Sequence, residues 1–193
     1  MRKEDLMESR SSAREDGYSL LEQISIIAIA SILITVSVPP YRYVTHSSRA
    51  SAEINGLLAD MQFARSQAIT AGQPVTVCAS SDSQTCAANS RDWQTGWIVF
   101  SDPDASGTVV STTSILRAQP GFAATRDLLL APPGISSVTF NREGFTTKLP
   151  VAVNGAVTFT LHTQPSNSQW TRCLQVSVAG MITTERAGQA GCQ

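Results

Sequence analysis

Residues 17–40 read GYSLLEQISIIAIASILITVSVPP, and the rest of the chain takes its meaning from them. From Leu20 through Val38 run 19 residues with one formal charge, Glu22. At about 1.5 Å per residue, such a helix is roughly 28 Å long, enough for a hydrocarbon core of about 30 Å. Residues 1–17 are polar and charged, with no apolar run of their own. Two ordinary readings fit the tract: a signal anchor, or a cleavable secretory peptide with Thr35-Val36-Ser37 as its small-x-small site. The apolar run is longer than a usual signal core, which weighs against cleavage there. A carboxylate at the depth of Glu22 costs several kcal/mol unless it is paired, which marks the residue as functional. It equally fits a side chain that snorkels to the membrane edge. Ala28, Ser31 and Thr35 fall on one narrow arc of small residues, which lets helices approach closely, though chance alone also places small residues there.

Beyond the tract, Pro39 and Pro40 lack the N–H a helix needs and are expected to kink or interrupt it. Ile54, Leu57, Leu58, Met61, Ala64 and Ala68 then recur at i, i+3, i+4 and i+7, which predicts one apolar helical face. Gly72 and Pro74 are stop signals. The expectation is one long helix over about residues 18–71. After Pro74 the period shortens to that of strands. Strands are expected at 75–78, 96–100, 138–140, 156–161 and 173–179, with a hairpin or bulge at Gly180 before Met181-Ile182-Thr183. A helix followed by a run of strands is the α+β pattern.

Composition excludes several functions. The formal net charge is −1, so no overall basic excess advertises nucleic-acid binding. Four cysteines without CxxC spacing and two histidines argue against zinc. An even cysteine count behind a membrane segment points to disulfides in an oxidising compartment. Three connectivities exist, and the local pairs Cys78–Cys86 and Cys173–Cys192 are favoured. No motif sets a serine or cysteine beside His46 or His162, so no enzyme and no cofactor are expected. Asp102-Pro103-Asp104 with Ser106 and Gly107 offers clustered oxygens for calcium, but ordinary turn chemistry explains it better and no metal is expected. Trp93 and Trp97 fit a recognition surface or a core aromatic pair, and burial habits favour the core.

Gly17-Tyr18-Ser19-Leu20-Leu21-Glu22 before an apolar run resembles the class III signal of type IV pilins and pseudopilins. Ala64-Arg65-Ser66-Gln67-Ala68-Ile69, then Gly72-Gln73-Pro74-Val75, is similar to the helix end and first strand of the GspH/FimT family. Cys78, Cys86 and Trp93-Gln94-Thr95-Gly96-Trp97-Ile98-Val99-Phe100 with Asp102 match its most recognisable stretch, and Phe140-Asn141-Arg142-Glu143-Gly144 a later strand-turn element. The Cys-Cys-Trp-Gly-Trp stretch leans toward minor pilins of the FimU/FimT kind. The resemblance implies a pilin-like α+β fold, with a long transmembrane and amphipathic helix packed on a small antiparallel sheet. It divides the chain into a leader, 1–17, a membrane helix, 18–38, its amphipathic continuation, 39–72, and a periplasmic β-rich domain, 73–193.

The same resemblance implies that prepilin peptidase cuts after Gly17 and N-methylates Tyr18. Glu22 would neutralise the N-terminal amine of a neighbouring subunit, and Pro39 would stand where the family often has a helix-kinking proline. The implied partners are the peptidase, other pilins or pseudopilins and an inner-membrane assembly platform. The implied place is the bacterial inner membrane, with one span and a periplasmic C-terminal domain, and the filament after assembly. The implied function is a minor pilin of a type IV pilus tip or initiation complex. The alternatives are a pseudopilin of type II protein secretion and a DNA-binding minor pilin. Departures from the family pattern are an acidic leader, Tyr18 in place of phenylalanine and Gln23 after the glutamate.

DNA-binding members carry a basic motif beginning Gly-Arg. Here that place reads Gly180-Met181-Ile182-Thr183-Thr184-Glu185-Arg186, with Met181 for the first arginine and Glu185 beside Arg186. Removing the four basic and five acidic residues of the leader leaves ten of each. A DNA surface would therefore depend on how Arg142, Lys148, Arg172 and Arg186 are placed, because phosphate contacts by Lys and Arg carry the affinity.

Overall fold

The computed structural model describes residues 17–122, 126–147, 149, 155–189 and 191–192, with side chains 36–40 left out. The leader before Gly17 and Lys148 lie outside the described residues, as does the side chain of Pro39. The chain divides into two compact units, Met1–Arg42 and Tyr43–Gln193. Helix α1, Leu20–Ala71, begins in the first and ends in the second. It passes through Pro39 and Pro40 without an interruption.

Within the second unit, the helical segment buries one face. Ala50, Ile54, Leu57, Met61, Ala64 and Ala68 are buried, spaced by alternating fours and threes. Full burial of each larger one contributes about 1.5–3 kcal/mol. Leu58 packs at the margin of this core. Opposite lie two antiparallel sheets rather than a single small one. The first has the order β3-β2-β1-β5-β6, with β1 Val75–Ala79, β2 Gly96–Ser101, β3 Ile115–Pro120, β5 Ser137–Phe140 and β6 Thr146–Thr147. The second has the order β4-β7-β8-β9, with β4 Leu128–Leu130, β7 Ala156–His162, β8 Arg172–Ser177 and β9 Ile182–Arg186. Both contribute to the core that meets the helix, including Val77, Val99, Phe140, Phe159 and Leu174.

Strand β1 is buried at every position because it is central and both faces are covered. Val75, Val77 and Ala79 join the helix-side core. On the other face Cys78 packs with Ile98 and Phe100, under Cys86, Val109 and Ile115. The Cys78–Cys86 disulfide therefore staples the 80–92 loop over the second face of the sheet. Asp82 braces that loop, its pKa pulled far down chiefly by the backbone N–H of Gln84, then by those of Thr85 and the Thr85 hydroxyl. The Cys173–Cys192 disulfide ties the C-terminal segment back to β8. Closing loops of these lengths stabilises by about 2–3 kcal/mol each in a chain-entropy account.

The two sheets meet where the helix ends. A Cβ on Gly180 would lie 1.9 Å from the carbonyl oxygen of Gly144, and Gly180 has φ +71°. Only glycine fits this crossing of turns at no steric cost. Arg65 Nε donates to that same carbonyl at 3.0 Å, locking α1 to both turns. The backbone N–H of Thr146 donates to Val178 O at 3.0 Å, joining β6 to the end of β8.

Candidate functional site

In the first unit, every large apolar side chain described on α1 is exposed, from Leu20 and Leu21 through Ile24, Ile26, Ile27, Ile29, Ile32, Leu33 and Ile34. A helix apolar on all sides is built for apolar surroundings. Ser25, Ser31 and Thr35 turn their hydroxyls back onto carbonyls of their own helix, at 2.8, 2.7 and 2.9 Å. That is how a hydroxyl is satisfied where water is absent. Among the described residues no helix is long and apolar enough to cross a membrane. The described side chains of the tract stop at Thr35, whereas the apolar sequence continues to Val38.

Gly17, Tyr18 and Ser19 precede the helix in an exposed, non-helical segment. Gln23 N–H donates to Ser19 O at 3.1 Å, so Ser19 is the N-cap and Glu22 the third helical residue. Ser-x-x-Glu at these positions is the capping-box pattern, and a carboxylate in the first turn faces the positive end of the helix dipole. Glu22 is exposed. The sequence features thus converge: a glycine outside the helix, an acid in its first turn, and an unpartnered apolar surface beyond.

The second unit is braced by charges the sequence did not flag. Arg49 Nε and Nη2 donate to the two oxygens of Asp127, each at 2.9 Å. Gln164 N–H adds a bond of 2.7 Å to Asp127 Oδ1. This fork ties α1 to the segment before β4 and the loop after β7. Asp60, buried on the helix, accepts from Trp97 Nε1 at 2.9 Å and from Arg117 at 3.1 Å. Arg117 also lies 3.6 Å over the Phe63 ring. Nothing in the spacing of Arg49, Asp127, Asp60 or Arg117 signals these pairings, since each joins residues far apart in the chain.

Trp93 and Trp97 are fully buried, and Trp93 meets Phe159 edge-on. They belong to the core and not to a recognition surface. The Asp102 carboxylate accepts from Thr76 Oγ1, from Ser106 N and Oγ, and from Gly107 N. Its lone pairs hold a turn, as the turn reading of this segment anticipates. Among the described residues no group of three His, Cys, Asp or Glu is placed to hold a metal ion.

The three candidate DNA residues that are described, Arg142, Arg172 and Arg186, sit in different surroundings. Arg142, between β5 and β6, is ion-paired with the adjacent Glu143 at 2.8 Å. Arg172 is only 8% exposed. Its Nη1 donates to the carbonyls of Gln169 and Thr171 and its Nη2 to Ser47 Oγ. Arg186 is exposed at the end of β9, on the other sheet from Arg142. Met181, where the basic motif would begin, presents an apolar side chain to solvent.

A family model described as type II transport protein GspH matches residues 53–180. The fold is similar to crystal structures of the type IV minor pilin FimU of Pseudomonas aeruginosa strain PAO1. In space group P21 the TM-score is 0.55 at 23% identity, covering 78% of this chain and 96% of that one. In space group P65 it is 0.52 at 23% identity, covering 74% and 94%. No curated protein matches the chain. The structural likeness establishes the fold, and the family model spans more than half the chain.

Proposed function

The chain belongs to the GspH family of pilin-like subunits, and from that premise we propose that it is a minor pilin. Prepilin peptidase cuts it after Gly17, its apolar helix is held in the inner membrane, and it is then built into the tip or initiation complex of a type IV pilus. The observation that carries this is the apolar helical surface of Leu20–Ile34, exposed on all sides and headed by Gly17 and Glu22, on a GspH-family domain. The tract of 19 residues through Val38 supports a membrane-held helix while the subunit waits for assembly. An inner-membrane platform assembles the subunit, and in the filament the same surface packs against the helices of neighbouring subunits. Two internal disulfides suit a periplasmic domain.

A second reading, the pseudopilin of a type II secretion system, is favoured by the description of the matching family. Deleting the chain from its host separates the two. The pilus reading expects loss of surface pili with secreted proteins unchanged. Lost secretion with normal piliation assigns the chain to secretion instead. DNA capture is disfavoured by the burial of Arg172, the pairing of Arg142 with Glu143, and Met181 in the place of an arginine.

A further inference from the structure

Arg172 and Arg186 are direct register partners across β8 and β9. Partners in register share one face of a sheet, and here like charges stand directly opposite each other, an arrangement that destabilises the pair unless something intervenes. That face is the one carrying Leu174 and Val176 into the helix-side core. Glu185, one position along, is the register partner of Cys173 and borders the same recess, but forms no ion pair with either arginine. The partners of the Arg172 guanidinium are two carbonyls and the Ser47 hydroxyl, all neutral. Among the ion pairs of the described residues, none involves Arg172 or Arg186. Burial, and then the field of Arg186, pushes the Arg172 pKa down. A buried cation without a counter-charge is costly, more so beside a second cation.

Between this face and α1 lies a polar cavity of about 280 Å³, lined by both arginines with Ser51, Asn55, Thr184 and one acidic residue, Glu185, among others. We propose that Arg172 and Arg186 form a recessed site for a single carboxylate, seated in this cavity between α1 and the β8–β9 pair. The Arg172 N–H groups not used on Gln169, Thr171 and Ser47, together with the Arg186 guanidinium, match the planar geometry of a carboxylate, and the hydroxyl and amide side chains around them offer further donors. The recess selects against a duplex backbone, because a phosphate held on a rigid cylinder does not reach a side chain 8% exposed. A chain with formal net charge −1 also lacks the field that draws polyanions. The carboxylate comes either from an acidic side chain of a neighbouring subunit or from a small free acid.

The test titrates acetate, inorganic phosphate and duplex DNA separately into the full chain in detergent micelles at constant ionic strength. The readout is the guanidinium ¹⁵N resonances of Arg172 and Arg186. Acetate is expected to shift both saturably, and Arg186→Gln to weaken that response by about tenfold, equivalent to about 1.4 kcal/mol. A linear or absent shift, or an unchanged response in Arg186→Gln, overturns the site. Phosphate saturating below acetate overturns the carboxylate assignment, and DNA displacing acetate overturns the recessed geometry. Arg186→Glu in cells then separates the sources. Lower recovery in sheared filaments at normal membrane levels assigns the carboxylate to a neighbouring subunit, and unchanged recovery assigns it to a free acid. The titration reads the isolated chain, so its failure leaves the assembly reading untouched.

Discussion

Asp127→Ala is expected to destabilise the second unit by about 3–4 kcal/mol, a large share of the stability of an ordinary domain. The Asp127 side chain is wholly buried, and three donors converge on it: Arg49 Nε, Arg49 Nη2 and Gln164 N–H. Truncation leaves the Gln164 N–H without its acceptor and leaves a partly buried guanidinium with only the Gln164 carbonyl at 3.3 Å and Glu53 at 3.9 Å. It also uncouples α1 from two loops of the second sheet. Breaking one side of such a pair costs more than the pair is worth, because the charge that remains is poorly compensated: Glu53 is at 3.9 Å against 2.9 Å for Asp127. Urea unfolding of the full chain in detergent, followed by tryptophan fluorescence, measures the loss. Arg49→Leu combined with Asp127→Leu should recover part of it, since the double change removes the poorly paired guanidinium while giving up only the longer contact with Glu53. An Asp127→Ala midpoint within error of wild type would contradict the clamp.

Glu22→Ala is expected to leave membrane insertion intact and to lower incorporation into filaments by at least about tenfold, a loss of about 1.4 kcal/mol or more. Insertion should survive because the substitution makes an already apolar helix more so. Incorporation should fall because an intramembrane carboxylate needs a cationic partner, and the family resemblance supplies one in the N-terminal amine of a neighbouring subunit. Glu22 also occupies the third position of α1, where it favours the helix start. Glu22→Gln separates these roles, because glutamine keeps the capping shape and removes the charge. Equal defects in Glu22→Ala and Glu22→Gln, scored in sheared filaments against membrane fractions, identify charge pairing as the cause. Normal incorporation of Glu22→Gln would sink it.

Much of this architecture is legible in the sequence, and the gaps have physical causes. The buried face of α1 follows from the spacing of Ile54, Leu57, Met61, Ala64 and Ala68. The core strands β1, β2, β5, β7 and β8 follow from apolar runs or alternation, and the β8–β9 hairpin from Gly180. Strand β3 was not legible because it is an exposed edge with almost no apolar pattern, and β6 because two threonines carry no period. Strand β4 is three leucines, too short to distinguish from a loop. These edges extend what reads as one sheet into two. The proposed processing segment rests on local information alone: a glycine, an acid and a run of apolar residues. The Arg49–Asp127 clamp and the burial of Arg172 were not legible, because they depend on which distant segments fold together. An arginine at a strand end reads as a surface cation until Ser47 and two carbonyls are found around it.

The central claim is that the chain becomes a filament subunit by cleavage after Gly17. Mass spectrometry of the N-terminal peptide of the membrane-bound protein tests it most directly. The account predicts a mature chain that begins at N-methylated Tyr18 and retains the helix through Val38. A chain that begins near Val38, or one that keeps residues 1–17, would contradict it.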